Sequence, residues 1–265
     1  MHVSSSVFAA FIFAAIAEIA VPILLLVILG MKKRINPKPL FFGFGAFFVS
    51  QLCLRIPILQ VLGTQSWFKE FALNTIPYLV VLSFTAGLFE ESARYLCAGC
   101  FLKKNRSFRD AVSFGLGHGF CEVILLTGMA QINNITYSIM INNGTLEKAV
   151  PAAVASQVIA AMQSATAAVV YLGVLERVSA VLFHIFASVL IFKGVNDRKP
   201  VYYLLAILAH TVFNIAGVAL TKYVNMWVGE AVMLILALAA LLLVFKMKPT
   251  FPSAEQKVPV QQQEV

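Results

Sequence analysis

The sequence predicts an all-α, polytopic transmembrane helical bundle with seven spans and the N-terminus outside the cell. Of its 265 residues, 60% are hydrophobic and only 12% are charged. The mean hydropathy of +0.86 lies far above that of soluble domains. Apolar runs of roughly 20 residues, the length that crosses a bilayer as a helix, recur from end to end, and short basic loops separate them.

The predicted spans are helical because lipid offers the backbone almost no other way to satisfy its hydrogen bonds. They cover 4–30, 39–62, 71–102, 109–132, 176–193, 200–221 and 226–246. The first run is too long for a signal peptide and is followed by "MKKR", so we expect it to be retained as a span. Residues 1–248 are expected to form a single transmembrane domain, followed by a flexible cytoplasmic tail at 249–265.

The alanine-rich segment 151–174 decides the number of spans. If it crosses, the bundle has eight spans, and the basic strings "KGVNDRKP" and "KMK" fall outside, against the positive-inside rule. If it is an amphipathic segment on the outer leaflet, every basic loop falls inside. We therefore prefer seven spans, with eight as the alternative. The loops at 31–38, 103–110 and 194–199 are then predicted to be cytoplasmic.

The net charge of +8 comes mostly from these short loops. There, Lys and Arg set the orientation of the chain and meet anionic lipid head groups. The charge therefore predicts lipid as a partner and gives no indication of nucleic-acid binding. The expected location is the cell membrane, as a multi-pass protein. The sequence leaves open whether the chain forms an oligomer.

Charged residues interrupt the third predicted span at "GLFEESARY". Ionisable residues inside a membrane are costly and usually face a bundle interior or a functional cavity. Glu90 and Arg94 are four residues apart on one helix face and are expected to pair. Glu91, about 100° around the helix, is then free for chemistry.

Three later spans each carry a histidine. "GLGHGFCE" places His118 and Glu122 four residues apart, "ERVSAVLFH" contains His184, and "LAHTVFN" places His210 four residues before Asn214. A lone histidine or asparagine in a span most often makes a helix-to-helix hydrogen bond. Here Glu91 and the three histidines all lie about ten residues from the cytoplasmic ends of their spans, which is roughly 15 Å deep. This common depth predicts one shared site.

Two chemistries fit such a site. In the first, which needs no metal, Glu91 is the general base for a water and histidine stabilises the oxyanion. In the second, a Zn²⁺ ion activates the water, with ligands drawn from His118, Glu122, His184 and His210. The sequence has no HExxH motif, so it does not choose between them.

In this order on separate helices, "EESAR", "GHGFCE", "ERVSAVLFH" and "HTVFN" resemble the YhfC family of intramembrane proteases. That family is similar to the PrsW and CAAX-protease superfamily, although "EESAR" is one residue shorter than the EExxxR motif found there. The resemblance covers roughly residues 71–221. It implies hydrolysis of a peptide bond in a membrane protein or peptide, with Glu90 or Glu91 activating water. His118, Glu122, His184, His210 and Asn214 would complete the site.

The same stretch is also similar to the APH subunit of gamma-secretase, a seven-span scaffold with its N-terminus outside. That similarity implies a non-catalytic scaffold as the alternative function. This chain has the full set of Glu and His residues, which favours an enzyme. A transporter that uses these residues as a proton relay would show inverted repeats, and the sequence shows none.

Overall fold

The computed structural model describes residues 2–251 and is helical throughout the long segments of that range. The helices are α1 (Ser5–Met31), α2 (Pro37–Leu62), α3 (Ser66–Ala72), α4 (Thr75–Phe101), α5 (Phe108–Asn142), α6 (Leu146–Ala149), α7 (Ala152–Ser164), α8 (Ala167–Asn196), α9 (Val201–Tyr223) and α10 (Met226–Thr250). Six are long and apolar enough to cross a membrane, and the pair α3 and α4, bent by 106°, makes a seventh. The all-α prediction is confirmed.

The segment 151–174 is divided between two helices. Helix α7 has 13 residues, fewer than the roughly 20 needed to cross a bilayer, and α8 begins at Ala167. Thr166 caps α8 by accepting a hydrogen bond from the Val169 amide at 3.3 Å. The fifth span therefore begins well before the predicted residue 176, because the alanine-rich sequence gives no turn signal there. An outer-leaflet position for α7 stays a prediction.

Two spans contain a π-helical stretch immediately before a proline. Residues Ile16–Ala20 precede Pro22 in α1, and Phe48–Arg55 precede Pro57 in α2. Proline removes a backbone donor and crowds the preceding turn, and a locally wider helix accommodates both effects. The first stretch contains the buried Glu18, and the second contains the buried Gln51.

Helix α8 is the central element of the bundle. It contacts α1, α4, α5, α9 and α10, while α2 packs against α4 and α5. The loops fall on two faces. We call the face that carries residues 32–36, 102–107 and 197–200 the basic face, and the opposite one the N-terminal face. A large apolar cluster that includes Leu102 and Phe192 fills the bundle towards the basic face.

A smaller apolar cluster joins the N-terminal end of α1 to the helices around α7, through residues such as Phe11 and Met162. Many large apolar side chains point outward along the spans, Leu24 and Leu242 among them. That exposure is what contact with lipid requires. The predicted tail at 249–265 lies outside the described residues from 252 onward. Its first two residues, 249 and 250, belong to the end of α10.

Glycines bring α2 and α5 unusually close together. A Cβ atom at Gly43 would lie 2.0 Å from the Phe114 carbonyl oxygen, and one at Gly117 would lie 2.0 Å from the Leu40 carbonyl oxygen. Small residues at such crossings are the usual route to close backbone packing in membranes. The approach matters for function because it positions α5, which carries His118, against α2.

We expect Gly43→Ala to destabilise the bundle, because the new methyl group meets backbone atoms that cannot move aside. Overpacking of this kind costs about 1–3 kcal/mol or more. Gly45→Ala is the matched control on the same helix, since its Cβ would meet nothing within 4 Å. The measurement is thermal unfolding in detergent. Equal unfolding temperatures for the two variants would contradict the close packing.

We also expect the basic face to be cytoplasmic, because this orientation places the clustered Lys and Arg residues inside. In a variant whose four cysteines are replaced by serine, Glu147→Cys should react in intact cells with a membrane-impermeant maleimide. Lys199→Cys should react only after the cells are permeabilised. Both residues are exposed and lie on opposite faces. The reverse labelling pattern would invert the orientation.

Candidate active site

Glu90 of α4 lies at the centre of the polar cluster. Its Oε2 atom is 2.9 Å from His118 Nε2 and 3.9 Å from both His184 Nδ1 and His210 Nε2. Its Oε1 atom accepts a hydrogen bond from Gln51 Nε2 at 2.8 Å. Five helices thus bring polar groups to one point, and Glu90 is only 5% exposed there.

Arg94 pairs with Glu91, which reverses the predicted assignment of the two glutamates. Its Nη1 atom lies 3.1 Å from both carboxylate oxygens of Glu91, and neither residue is exposed. On a helix, residues three apart are neighbours as much as residues four apart. The sequence spacing therefore could not decide whether Glu90 or Glu91 pairs with Arg94. The structure shows Glu90 facing α2, α5 and α8, where the Arg94 guanidinium does not reach it.

Glu91 also orients His210. The carboxylate accepts a hydrogen bond from His210 Nδ1 at 2.8 Å, which leaves His210 Nε2 on the side facing Glu90. The predicted role of Glu91 as a free general base does not fit these contacts, because Arg94 and His210 already occupy its oxygens. Arg94, Glu91 and His210 instead form a continuous chain of charged and polar groups from α4 to α9.

Glu122 plays the same orienting part for His184. Its Oε2 accepts from His184 Nε2 at 2.7 Å, and its Oε1 accepts from Arg177 Nη1 at 2.7 Å. His184 Nδ1 is then left as an acceptor, and Arg94 Nη2 donates to it at 3.3 Å. His118 and Glu122 share a face of α5, as predicted, but they bind different partners.

Glycines on α5 let the histidines meet. A Cβ atom at Gly115 would lie 2.6 Å from Ile185 Cα, and one at Gly119 would lie 3.2 Å from Val181 Cα, both on α8. With the two backbones this close, the rings of His118 and His184 come to 4.8 Å between centroids. The convergence of the histidines therefore depends on backbone contact as well as on their common depth.

Three of these residues form a group that can hold a metal ion. Glu90, His118 and His184 are buried and offer ligand atoms that all lie within 4.8 Å of one another. Two imidazoles and one carboxylate are a ligand set of catalytic zinc sites, which leave a fourth position open. Ligands 2.0–2.1 Å from a tetrahedral ion are about 3.3 Å apart, and the two distances from Glu90 to these histidines bracket that value. The residues fit the ion, provided that Arg94 Nη2 releases His184 Nδ1.

The predicted ligand set of His118, Glu122, His184 and His210 differs from this group. Glu122 is engaged by Arg177 and by the far nitrogen of His184. His210 approaches Glu90 but is not among the three clustered ligands. The structure places Glu90 where the prediction had Glu122. The sequence offered both carboxylates, and only the packing of α4 against α5 and α8 distinguishes them.

A cavity of about 860 Å³ adjoins the site. Its walls include Glu90, His184 and His210, and also Asn214, one turn beyond His210. From there it extends to the helix ends at the N-terminal face, where Thr75 and Met226 line it. The bundle is packed towards the basic face, so the cavity runs to the opposite one.

Several polar residues in the cavity wall were not predicted as part of the site. Gln51 and Arg55 of α2 connect to Glu90 through hydrogen bonds, and Arg177 of α8 binds both Glu122 and Glu176. An isolated glutamine in the apolar string "FVSQLCLR" was the available signal. Arg177 was placed at the edge of its span because the start of α8 was set too late.

We expect Arg94→Met to lower stability strongly, because it leaves Glu91 fully buried without its cation. Removing one partner of a buried ion pair typically costs about 3–5 kcal/mol. Adding Glu91→Gln should restore most of the loss, since the remaining group is neutral. Thermal unfolding in detergent measures both effects, with the exposed Arg109→Met as a control. A double variant no more stable than Arg94→Met alone would contradict this pairing.

Comparison with known proteins identifies the family of this chain. A family model described as YhfC intramembrane metalloprotease matches residues 17–234. An uncharacterized membrane protein YhfC from Bacillus subtilis (strain 168) is 33% identical over 229 residues, which cover 84% of this chain and 88% of that protein. No solved structure matches significantly. The chain is therefore a multi-pass membrane protein that belongs to the YhfC family of intramembrane metalloproteases.

Proposed function

We propose that this protein is a zinc-dependent intramembrane endopeptidase in which Glu90, His118 and His184 hold the metal. The observation that carries the proposal is the convergence of these three groups from α4, α5 and α8, in the middle of the bundle and against a cavity. The family description, intramembrane metalloprotease, supports the same class of reaction. The substrate is a membrane protein or membrane-inserted peptide.

The carboxylate behind His184 supports metal binding. A histidine that binds a metal usually donates its other ring N–H to a carboxylate, which fixes its tautomer. Glu122 does this for His184 by accepting from Nε2, so that Nδ1 keeps its lone pair for the ion. Zinc held there would polarise the scissile carbonyl and make its bound water a nucleophile. Arg177 holds Glu122 in place on the side away from the histidine.

His210 is the proposed general base. Its Nδ1–H donates to Glu91, so Nε2 is the acceptor and lies 3.9 Å from Glu90 Oε2. A histidine oriented by a buried carboxylate can take a proton from water and later give it to the leaving amine. Glu91, which is paired with Arg94, stabilises the imidazolium formed in the first step. In this assignment, Glu91 and Arg94 are positioning residues.

Asn214 and the cavity complete the proposal. Asn214 lies one turn from His210 on the same wall, so its side-chain amide can donate to the carbonyl oxygen of the bound peptide. The cavity provides room for an extended peptide segment and a path for the water that hydrolysis consumes. Both enter from the N-terminal face.

The contacts of the histidines weigh against the scaffold alternative. In a purely structural role, each buried histidine would bind a backbone carbonyl or one neighbouring helix. Here all three have a ring nitrogen within 4 Å of Glu90 Oε2, and two are oriented by further carboxylates. Packing a bundle of this size requires no such cluster. Burying ionisable side chains on α4, α5, α8 and α9 costs free energy, and a scaffold would gain nothing in return.

We expect the purified protein to contain close to one zinc ion per chain and to cleave a membrane-inserted peptide. Glu90→Gln, His118→Ala and His184→Ala should each lose both the zinc and the activity. His210→Gln should keep the zinc but lower kcat by roughly 10²–10⁴, the usual contribution of a general base. Elemental analysis and a cleavage assay measure the two properties.

Lys222→Gln is the matched control, because Lys222 lines the same cavity near its mouth, away from the histidines. It should keep both zinc and activity. Full zinc content in both Glu90→Gln and His118→Ala would remove these residues from the metal site. A loss of zinc in His210→Gln would instead make His210 a ligand.

A further inference from the structure

Arg55 points into the bundle, although it lies within reach of the membrane surface. It is seven residues from the end of α2 at the N-terminal face, which is roughly 10 Å. Arginines at such depths usually extend outward to the head groups. Arg55 extends the other way: its Nη1 donates to Gln51 Oε1, one turn deeper, at 3.1 Å. Its Nη2 donates to the Leu82 carbonyl at 2.6 Å, and its Nε donates to Thr85 at 3.2 Å.

All three of these acceptors are neutral. Among residues 2–251, no carboxylate oxygen lies within 4.0 Å of the Arg55 guanidinium, whereas Arg94 and Arg177 both have such partners. A buried carboxylic acid can take up a proton and become neutral, but arginine stays charged in proteins. A fixed cation that faces a cavity inside a membrane is therefore expected to serve an anionic ligand.

Arg55 also has donors to spare. A guanidinium carries five N–H groups, and the contacts to Gln51, Thr85 and Leu82 use three of them. The side chain lines the same cavity as Glu90, and Gln51 links the two residues, since its amide accepts from Arg55 and donates to Glu90 at 2.8 Å. Two hydrogen bonds and one amide group thus separate the guanidinium from the proposed metal site.

We propose that Arg55 binds a carboxylate of the peptide substrate, placed within about two residues of the scissile bond. The inference rests on the proposed peptidase function and specifies its substrate. An extended chain advances about 3.3–3.6 Å per residue. About two residues therefore span the two hydrogen bonds and one amide group that separate Arg55 from the proposed metal site. Arginine suits the role because its planar fork can bind both oxygens of a carboxylate. A lipid head group does not fit as well, because Arg55 Nη1 is bonded to Gln51, which lies one turn deeper in the bundle.

Such a carboxylate has two sources: the C-terminal end of the peptide or an acidic side chain. The experiment separates them with four fluorescent, membrane-inserted peptides of one sequence. Two differ only in a free acid or an amide at the C-terminus, and two differ only in Asp or Asn beside the candidate cleavage site. Binding to the full-length protein in lipid nanodiscs is measured by anisotropy, and cleavage is measured separately.

The wild-type protein should bind at least one acidic peptide on the order of tenfold or more tightly than its neutral partner, as a site built for a polar group does. Arg55→Gln should abolish this preference while leaving the affinity for the neutral peptide unchanged. Arg55→Lys should keep part of it. Lys222→Gln, which removes another cation of the same cavity, should keep all of it. The pair that shows the preference identifies the source.

Equal affinities for the acidic and neutral members of both pairs, including no binding of any peptide, would overturn the inference. So would an Arg55→Gln variant that weakens both members of a pair alike, because Arg55 would then only support Gln51 and the helix packing. Cleavage distinguishes the two proposals. A protein that cleaves acidic and neutral peptides alike retains the peptidase function without this preference. A protein that binds the acidic peptide through Arg55 but cleaves no peptide supports the carboxylate site and contradicts the peptidase function.

Discussion

The buried ion pair between Arg94 and Glu91 is the interaction on which the polar centre depends. Both side chains are fully enclosed, so the pair is stable only while each charge has its partner and further polar contacts, although Arg94 Nε has no hydrogen-bond partner. His210 and His184 supply those further contacts from α9 and α8. By tying Glu91 to Arg94, the pair leaves Glu90 as the carboxylate that lies within 4 Å of all three histidines. In the proposed mechanism, Glu90 is therefore the metal ligand and Glu91 is the residue that positions His210.

The close helix contacts serve the same centre. Polar groups this deep in a membrane need partners within hydrogen-bonding distance, since neither water nor lipid will satisfy them. The glycines of α2 and α5 bring the backbones of α2, α5 and α8 close together, so that His118 and His184 meet. Larger residues at these crossings would separate the helices and break several polar contacts together. The candidate site therefore depends on the close packing of these helix backbones.

Hydropathy and charge predicted most of the fold, and depth along the spans predicted most of the candidate site. Most spans lie close to where the apolar runs placed them, because crossing a bilayer imposes a length that sequence alone reveals. The exceptions are α5, which continues to Asn142, and α8, which begins at Ala167. The common depth of Glu91, His118, His184 and His210 corresponds to a real convergence. The predicted pairing of Arg94 with Glu90 was wrong. Residues three and four positions away on a helix are equally good partners until another helix packs against one of them. Gln51 and the break before Ala167 carried almost no local signal.

The direction of the cavity follows from where the apolar residues are packed. Towards the basic face, α4, α5, α8 and α10 share a filled core, whereas towards the N-terminal face the helices stay apart around a cavity that is mostly apolar but contains several charged residues. The cavity reaches the helix ends at the N-terminal face, where Thr75 and Met226 line it. A peptide that reached the proposed metal site through this cavity would pass Arg55 on one wall and Arg177 on another. The proposed substrate would therefore meet these charged residues before Glu90 and the histidines.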